Sequence, residues 1–257
     1  MLVIQDIEIK EVPCLVIENS VDVGKPLPLF VYHHGFQSAR EHSLPIGYML
    51  ANKGFRVILP DALHHGVREN GINAFERSLA FWDIVMKNVE DTKLIYDYYQ
   101  KQNLIENKQF FVAGTSMGGI TTAAALVAHD FITGAGLLMG TAMLGSYAEL
   151  LGERVRKEGA RIADSELEAA HQMILPFDLS GQLEKLNRRP LFIWHGEKDS
   201  VIPFSFAKEF YEKAKEYYPD NGEITFMKAP GVGHKVNRAA MLAAADWFGS
   251  FISKDKR

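Results

Sequence analysis

The chain holds a single cysteine, Cys14, among its 257 residues. One thiol excludes an internal disulfide, so the fold has to stand without crosslinks. Cys14 lies in an apolar, strand-like run, where packing rather than reactivity is its expected role. Long apolar runs are missing too: none reaches the ~18 residues that a membrane span needs. Charge of one sign is also scarce. Twenty-eight Lys and Arg against 32 Asp and Glu give a net charge of -4, which argues against a nucleic-acid footprint. The one basic cluster, Lys254-Asp255-Lys256-Arg257, reads as a frayed end. The first residues, Met1-Leu2-Val3-Ile4-Gln5-Asp6-Ile7-Glu8, bring acids early and lack a basic n-region. That pattern argues against a signal peptide and for a cytoplasmic location. Internal repeats and low-complexity linkers are absent as well.

What is present is ordinary for a globular protein: 47% apolar and 23% charged residues. A chain of this length buries roughly 70–75% of its unfolded surface and needs no metal to hold a core. Residues 1–257 are therefore expected to form a single α/β domain. Residues 3–18 alternate apolar and polar, the pattern of a half-exposed antiparallel hairpin, with Pro13 marking an edge. Short continuous apolar runs follow at 27–32, 55–59, 109–113, 133–139 and 190–194. Separated by helical stretches, such runs indicate a mostly parallel, twisted sheet with helices on both faces. Helices are predicted at 43–53, with Ser43 as cap and Gly54 as stop, and at 77–101, with Leu79, Trp82, Val85, Val89 and Tyr96 on one face. Two more are predicted at 204–218 and 237–252, flanking a last strand at Glu223–Lys228.

About fifty residues separate the runs ending near Met139 and starting at Pro190, too many for a plain crossover. They hold Tyr147 to Leu151, a charged helical stretch from Glu153 to Glu158, a second helix from Asp164 to Met173, and Pro176-Phe177. Residues 141–188 read as a small helical lid, because insertions there sit above the strand ends.

The motif that organises the chemistry is Gly114-Thr115-Ser116-Met117-Gly118. An apolar run precedes it and Gly119 to Leu126, a helix-like stretch, follows. Strand, G-x-S-x-G, helix is the nucleophile elbow of serine α/β-hydrolases. The turn is tight enough that Gly114 and Gly118 must be nearly free of side chain. A serine hydroxyl needs a base, and the base an orienting acid. In this fold the chain order is serine, acid, histidine. Asp199 follows the apolar Leu191-Phe192-Ile193-Trp194, on a turn closed by Pro203. His234 lies in the glycine-rich Gly231-Val232-Gly233-His234 and is the only histidine after Asp199. The expected triad is Ser116, Asp199 and His234, with Asp178 as a competing acid on a less rigid mount. The N–H of Met117 is the first expected oxyanion donor. The second is that of Phe36, in His33-His34-Gly35-Phe36-Gln37, where Gly35 permits close approach. Phe36, Tyr147, Leu150, Leu151, Met173 and Phe177 are candidate walls of a substrate pocket; packing of the lid on the domain is the competing role for the lid residues.

No H-x-H-x-D or H-E-x-x-H spacing appears among the histidines, so neither metal nor cofactor is expected. His65 is expected to brace its loop through hydrogen bonds, His34 and His195 to be structural, and Asp61 to orient backbone.

On these residues the chain resembles the α/β-hydrolases, in particular compact bacterial esterases of the YitV/YjfP type. These are relatives of the prolyl-oligopeptidase and dienelactone-hydrolase catalytic domains. The resemblance is carried by His34 to His42, Ala62 to Gly66, Gly114 to Ile120, Trp194 to Asp199 and Gly233 to Val236. It implies a carboxylesterase that uses Ser116, Asp199 and His234 on small, short-acyl esters. A thioesterase or lactonase on the same machinery, or a non-catalytic ligand-binding protein, are the alternatives. The length leaves no room for the N-terminal propeller of full prolyl oligopeptidases, which speaks against peptidase activity. Oligomeric state is not readable from the sequence.

Overall fold

The computed structural model describes residues 1–157, 159, 162–219 and 223–254. Glu158, at the end of the charged stretch, and residues 255–257 of the basic tail lie outside them. In chain order the strands and α-helices are β1 (Leu2–Ile9), β2 (Val12–Asn19), β3 (Leu27–His33), α1 (Leu44–Ala51), β4 (Arg56–Pro60), α2 (Ala74–Leu79), α3 (Phe81–Lys101), β5 (Ile105–Thr115), α4 (Met117–Ala128), β6 (Gly134–Leu138), α5 (Leu144–Lys157), α6 (Asp164–Ile174), β7 (Leu191–Gly196), α7 (Phe204–Ala214), β8 (Ile224–Ala229) and α8 (Arg238–Lys254).

The eight strands form one sheet in the order β1-β2-β4-β3-β5-β6-β7-β8. From β4 onward every neighbouring pair is parallel, and β1 and β2 join as antiparallel strands. The hairpin turns on Lys10 and Glu11, both at positive φ (49° and 67°), the geometry of a two-residue turn matched to strand twist. Pro13 is not at the sheet edge. It sits one residue before the β2–β4 ladder begins at Cys14, so its missing N–H breaks no ladder bond there. The exposed edge is β1, whereas β2 is almost wholly buried.

Two apolar layers cover the sheet. Residues from α1 and α8, among them Leu50, Ala244 and Phe248, pack with Phe30, Phe111 and Phe192 on one face. Residues from α3, α4 and α7, among them Val85, Ile120 and Phe210, pack with Val31, Val112 and Ile193 on the other. Burial on both faces explains why the parallel strands read as continuous apolar runs instead of alternating ones.

Three helical expectations need revision. The stretch 77–101 is two helices, because Ala80 (φ -79°, ψ 6°) leaves helical geometry between α2 and α3. Leu79 therefore does not join the buried stripe of Trp82, Val85 and Val89 and is 50% exposed. Ser43 does not cap α1 through its side chain; a 3-10 turn over Arg40–Ser43 leads into the helix instead. In the segment between β6 and β7, Tyr147–Leu151 and the charged residues 153–157 belong to one continuous helix, α5.

The loops after β3, β5, β7 and β8 all leave from the C-terminal ends of parallel strands, the end at which ligands bind in open α/β sheets. Between β5 and α4 the chain turns at Ser116 with φ 55° and ψ -114°, a conformation that costs a non-glycine residue energy and persists only where the surroundings impose it. The surroundings are tight. A Cβ on Gly118 would lie 2.1 Å from the His33 carbonyl oxygen, and one on Gly114 would lie 2.4 Å from the Gly118 carbonyl carbon. Both obstacles are backbone and cannot swing aside. Gly35 differs: a Cβ there would meet Thr115 O at 3.4 Å and Ser116 Cβ at 3.6 Å, an ordinary contact. Gly118→Ala should thus cost about 3 kcal/mol or more in urea unfolding, whereas Gly35→Ala should stay within about 1 kcal/mol of the parent. Equal stability of the two variants would contradict this account of the turn.

Candidate active site

Ser116 caps helix α4, whose first N–H groups have no partner within the helix and carry the positive end of its dipole. Its Oγ lies 2.8 Å from His234 Nε2. His234 Nδ1 lies 2.7 Å from Asp199 Oδ2. With the proton on Nδ1 donated to that carboxylate, Nε2 is left as an acceptor facing the serine hydroxyl. The structure thus brings Ser116, His234 and Asp199 into one hydrogen-bonded line from three separate loops.

Asp199 has a side chain wholly removed from solvent, yet its carboxylate is well supplied with donors. Oδ1 accepts the N–H groups of Val201 and Ile202, each at 2.9 Å. Oδ2 receives His234 and also lies 3.2 Å from His195 Nε2. Burial alone would raise its pKa. The hydrogen bonds from His195, His234 and Ile202 outweigh that and hold the carboxyl well below the usual carboxylate range. His195 was expected to be merely structural. It is completely buried, its Nε2 is shared between Asp199 and the Ile202 carbonyl (2.9 Å), and its Nδ1 has no partner among the described residues. Its ring helps to hold the Asp199 carboxylate in place. The signal available in the sequence was its spacing, four residues before Asp199 across the strand end.

Asp178, the competing acid, is bound elsewhere. Its Oδ2 accepts Gly145 N at 2.8 Å in the first turn of α5, and its Oδ1 accepts Ser180 N and Oγ at 2.9 and 2.6 Å. It ties the two ends of the inserted segment together.

The loop after β3 is held by a histidine pair. Ala62 N donates to His34 Nε2 (3.0 Å), and His34 Nδ1 donates to Gly35 O (2.8 Å). Gln37 N donates to His65 Nε2 (3.0 Å), and His65 Nδ1 donates to Leu63 O (2.8 Å). Asp61 accepts Arg40 N and Val67 N, each at 3.0 Å. Phe36 sits between these anchors, stacked edge-on with His65 and Phe81 at centroid distances of 5.4 and 5.6 Å. Among the described residues nothing accepts the Phe36 N–H. Burial pushes His34 down and His65 down to about 4, so both rings are neutral near pH 7.

A cavity of about 460 Å³ opens over Ser116 and His234. Of the expected wall residues, Phe36, Tyr147 and Leu151 line it. Leu150, Met173 and Phe177 do not; they pack against the main core. Helix phase explains Leu150: Tyr147, Leu151, Arg154 and Val155 share the face of α5 turned to the cavity, and Leu150 lies to the other side of it. Residues not anticipated are Arg154, Val155 and Val201, and Phe75, Ser78 and Phe81 from the α2–α3 corner. Arg154 also donates to the carbonyls of Val201 (2.6 Å) and Ser200 (3.0 Å), linking α5 to the loop of Asp199.

A family model described as the prolyl oligopeptidase family matches residues 46–252 of this chain. The chain belongs to the prolyl oligopeptidase family. As a member it is a hydrolase built on the α/β-hydrolase fold. It is 38% identical over 259 residues to "Putative esterase YitV" of Bacillus subtilis (strain 168), covering 98% of this chain and 100% of that protein. It is 29% identical over 254 residues to "Esterase YjfP" of Escherichia coli (strain K12), covering 96% of this chain and 98% of that one. Among solved structures, TT1662 from Thermus thermophilus shares the fold with a TM-score of 0.77 at 17% identity, covering 98% of each chain. No helix among the described residues is long and apolar enough to cross a membrane.

The neutral histidines make a pH prediction for this family member. A histidine whose folded pKa lies below its ordinary value contributes stability that is complete above about pH 6.5 and is lost as pH falls towards the folded value. The unfolding free energy should therefore decline between pH 6.5 and 4. His65→Gln, which keeps an acceptor for Gln37 N but cannot titrate, should lessen that decline by up to about 3 kcal/mol. The parent's slope retained in His65→Gln, measured by urea unfolding across this window, would refute the assignment.

Proposed function

We propose that this chain is a serine esterase that hydrolyses carboxylic esters through an acyl-enzyme. The observation that carries the reading is the unbroken line from Ser116 Oγ to His234 at 2.8 Å and from His234 to Asp199 at 2.7 Å. Full-length similarity to two proteins named as esterases supports the bond type.

In the first half of the cycle Ser116 Oγ attacks the ester carbonyl carbon as its proton passes to His234 Nε2. The imidazolium that forms is stabilised by Asp199, which stays ionised and keeps the ring oriented. Negative charge gathers on the carbonyl oxygen, where the N–H groups of Met117 and Phe36 receive it. His234 returns the proton to the departing alkoxide, and the alcohol leaves. In the second half water gives its proton to His234 and attacks the acyl carbon, and the carboxylic acid is released as Ser116 regains its proton. The balance is one water consumed for one ester bond broken, with no external oxidant or reductant. The inserted helices act as the lid expected from the sequence, and the 460 Å³ chamber beneath α5 holds a short acyl group and the leaving alcohol together.

A fluorophosphonate probe should label the parent enzyme and fail to label Ser116→Ala. That variant should lose on the order of 10⁶ in kcat on p-nitrophenyl acetate. Asp199→Asn should lose on the order of 10⁴, the cost of the wrong imidazole tautomer, and Asp178→Asn should stay near the parent rate. Labelling of Ser116→Ala, or a dead Asp178→Asn beside an active Asp199→Asn, would refute the assignment.

A further inference from the structure

The chamber over Ser116 does not end at its own walls. A second cavity, about 260 Å³, lies between α2 and the two inserted helices α5 and α6. Phe75, Ser78, Phe81, Leu151 and Val155 line both, so the two cavities adjoin along these five side chains as a groove in two parts. Beyond the shared stretch its walls are apolar: Leu79 and Trp82 from the α2–α3 corner, Ala148 from α5, Leu167 and Ala170 from α6. Among the described residues that line this second cavity, Ser78 is the one hydroxyl side chain and Glu166 the one charged side chain.

Helix α2 makes this groove unusual. It is only six residues long and none of them is buried. A capping box holds it: the Asn73 side chain accepts Phe75 N and Glu76 N at 2.9 and 3.0 Å, and Glu76 Oε2 accepts Asn73 N at 2.9 Å. Its two large apolar residues, Phe75 and Leu79, are 52% and 50% exposed at the groove. Val201, on the loop of Asp199, adds a third exposed apolar side chain at the same mouth. Large apolar surface left open beside a reactive hydroxyl is surface that a bound hydrocarbon would cover.

We propose that this groove binds the aliphatic chain of medium-length acyl groups, so that the enzyme's substrates extend to fatty-acyl esters beyond the short ones the chamber accepts. The inference rests on the esterase reading. The acyl side is assigned from the order of events: the alcohol must escape after the first half-reaction, whereas the acyl group stays through both and gains from a site that holds it. The lining offers few polar groups for a peptide backbone and many carbon contacts for a chain.

The test is kcat/KM on p-nitrophenyl esters from acetate to decanoate, beside a series of acetate esters of butyl, hexyl and octyl alcohol. A fully buried methylene is worth at most about fourfold. The acyl series should rise at least tenfold in all from butyrate to octanoate, and the alcohol series should stay flat. The ratio of octanoate to butyrate should fall at least fivefold in Leu79→Asp, a change at a half-exposed side chain that the fold tolerates, and in Ala170→Trp, which fills the groove. A flat or falling acyl series, a gain confined to the alcohol series, or an unchanged ratio in both variants with native circular dichroism would overturn the proposal while leaving the esterase standing. Absence of Ser116-dependent turnover on every ester would instead overturn the esterase reading itself.

Discussion

Helix α4 starts so close to strand β3 that the space between Gly118 and the His33 carbonyl cannot hold a methyl group. That contact fixes where the helix N-terminus lies and forces the chain through Ser116 at φ 55°. From the same packing follow the raised hydroxyl, the Met117 amide in the first turn of α4 and the nearness of the loop after β3, which carries the Phe36 amide. Serine, helix dipole and the Phe36 amide are thus placed by one steric constraint rather than by three independent ones. The strain at Ser116 is small beside the burial of α4 between the sheet and its neighbours, where eleven of its twelve residues are buried.

The other parts of the site are held to this fixed point by hydrogen bonds rather than by packing alone. Asp199 is gripped by two backbone amides and two histidines, so the loop after β7 cannot turn its carboxylate away without leaving a buried charge unpaired. His34 and His65 serve the loop after β3 in the same manner, each using one ring nitrogen as donor and the other as acceptor. That dual use requires a neutral ring, and burial supplies it. A lysine or arginine could donate but not accept, and a carboxylate could accept but not donate, so histidine suits these positions through its inventory of atoms.

Much of this was readable before any coordinates, and the reason lies in the kind of signal. The elbow announces itself because sterics tolerate glycine alone at Gly114 and Gly118. The parallel strands are legible because burial on both faces removes alternation. Ser116, Asp199 and His234 each come soon after a strand-like run, and the loops after parallel strands gather at one end of the sheet. What escaped had no such local constraint. The role of His195 depends on a carboxylate that reaches back across a turn, a tertiary fact. Leu150, Met173 and Phe177 are as apolar as Leu151 and Val155, and composition cannot tell which face of an inserted helix meets a cavity and which meets the core. The break at Ala80 carries no glycine or proline to mark it, so 77–101 reads as one helix. That single misreading hides α2, and with it Ser78 and the exposed Leu79.

Chemistry and selectivity are therefore written in different places. The groups proposed to make and break the ester bond sit on loops of the parallel sheet, braced by short backbone contacts. Much of the surface that would meet the rest of the substrate comes from α2 and from the segment between β6 and β7, neither of which contributes a strand, with Phe36, Phe81 and Val201 completing it. Arg154 joins the two, because its guanidinium holds the carbonyls of Ser200 and Val201 beside Asp199 while its helix walls the chamber. Substitutions at the cavity-facing positions of α2, α5 and α6, such as Leu79, Val155 and Ala170, can reshape the cavity without touching the elbow, whereas Leu144, Tyr147 and Ile174 belong to the core that also holds β3 and β5. A fold divided in this way can vary the walls of its cavity while keeping the elbow, provided that contacts such as those of Arg154 keep the two parts in register.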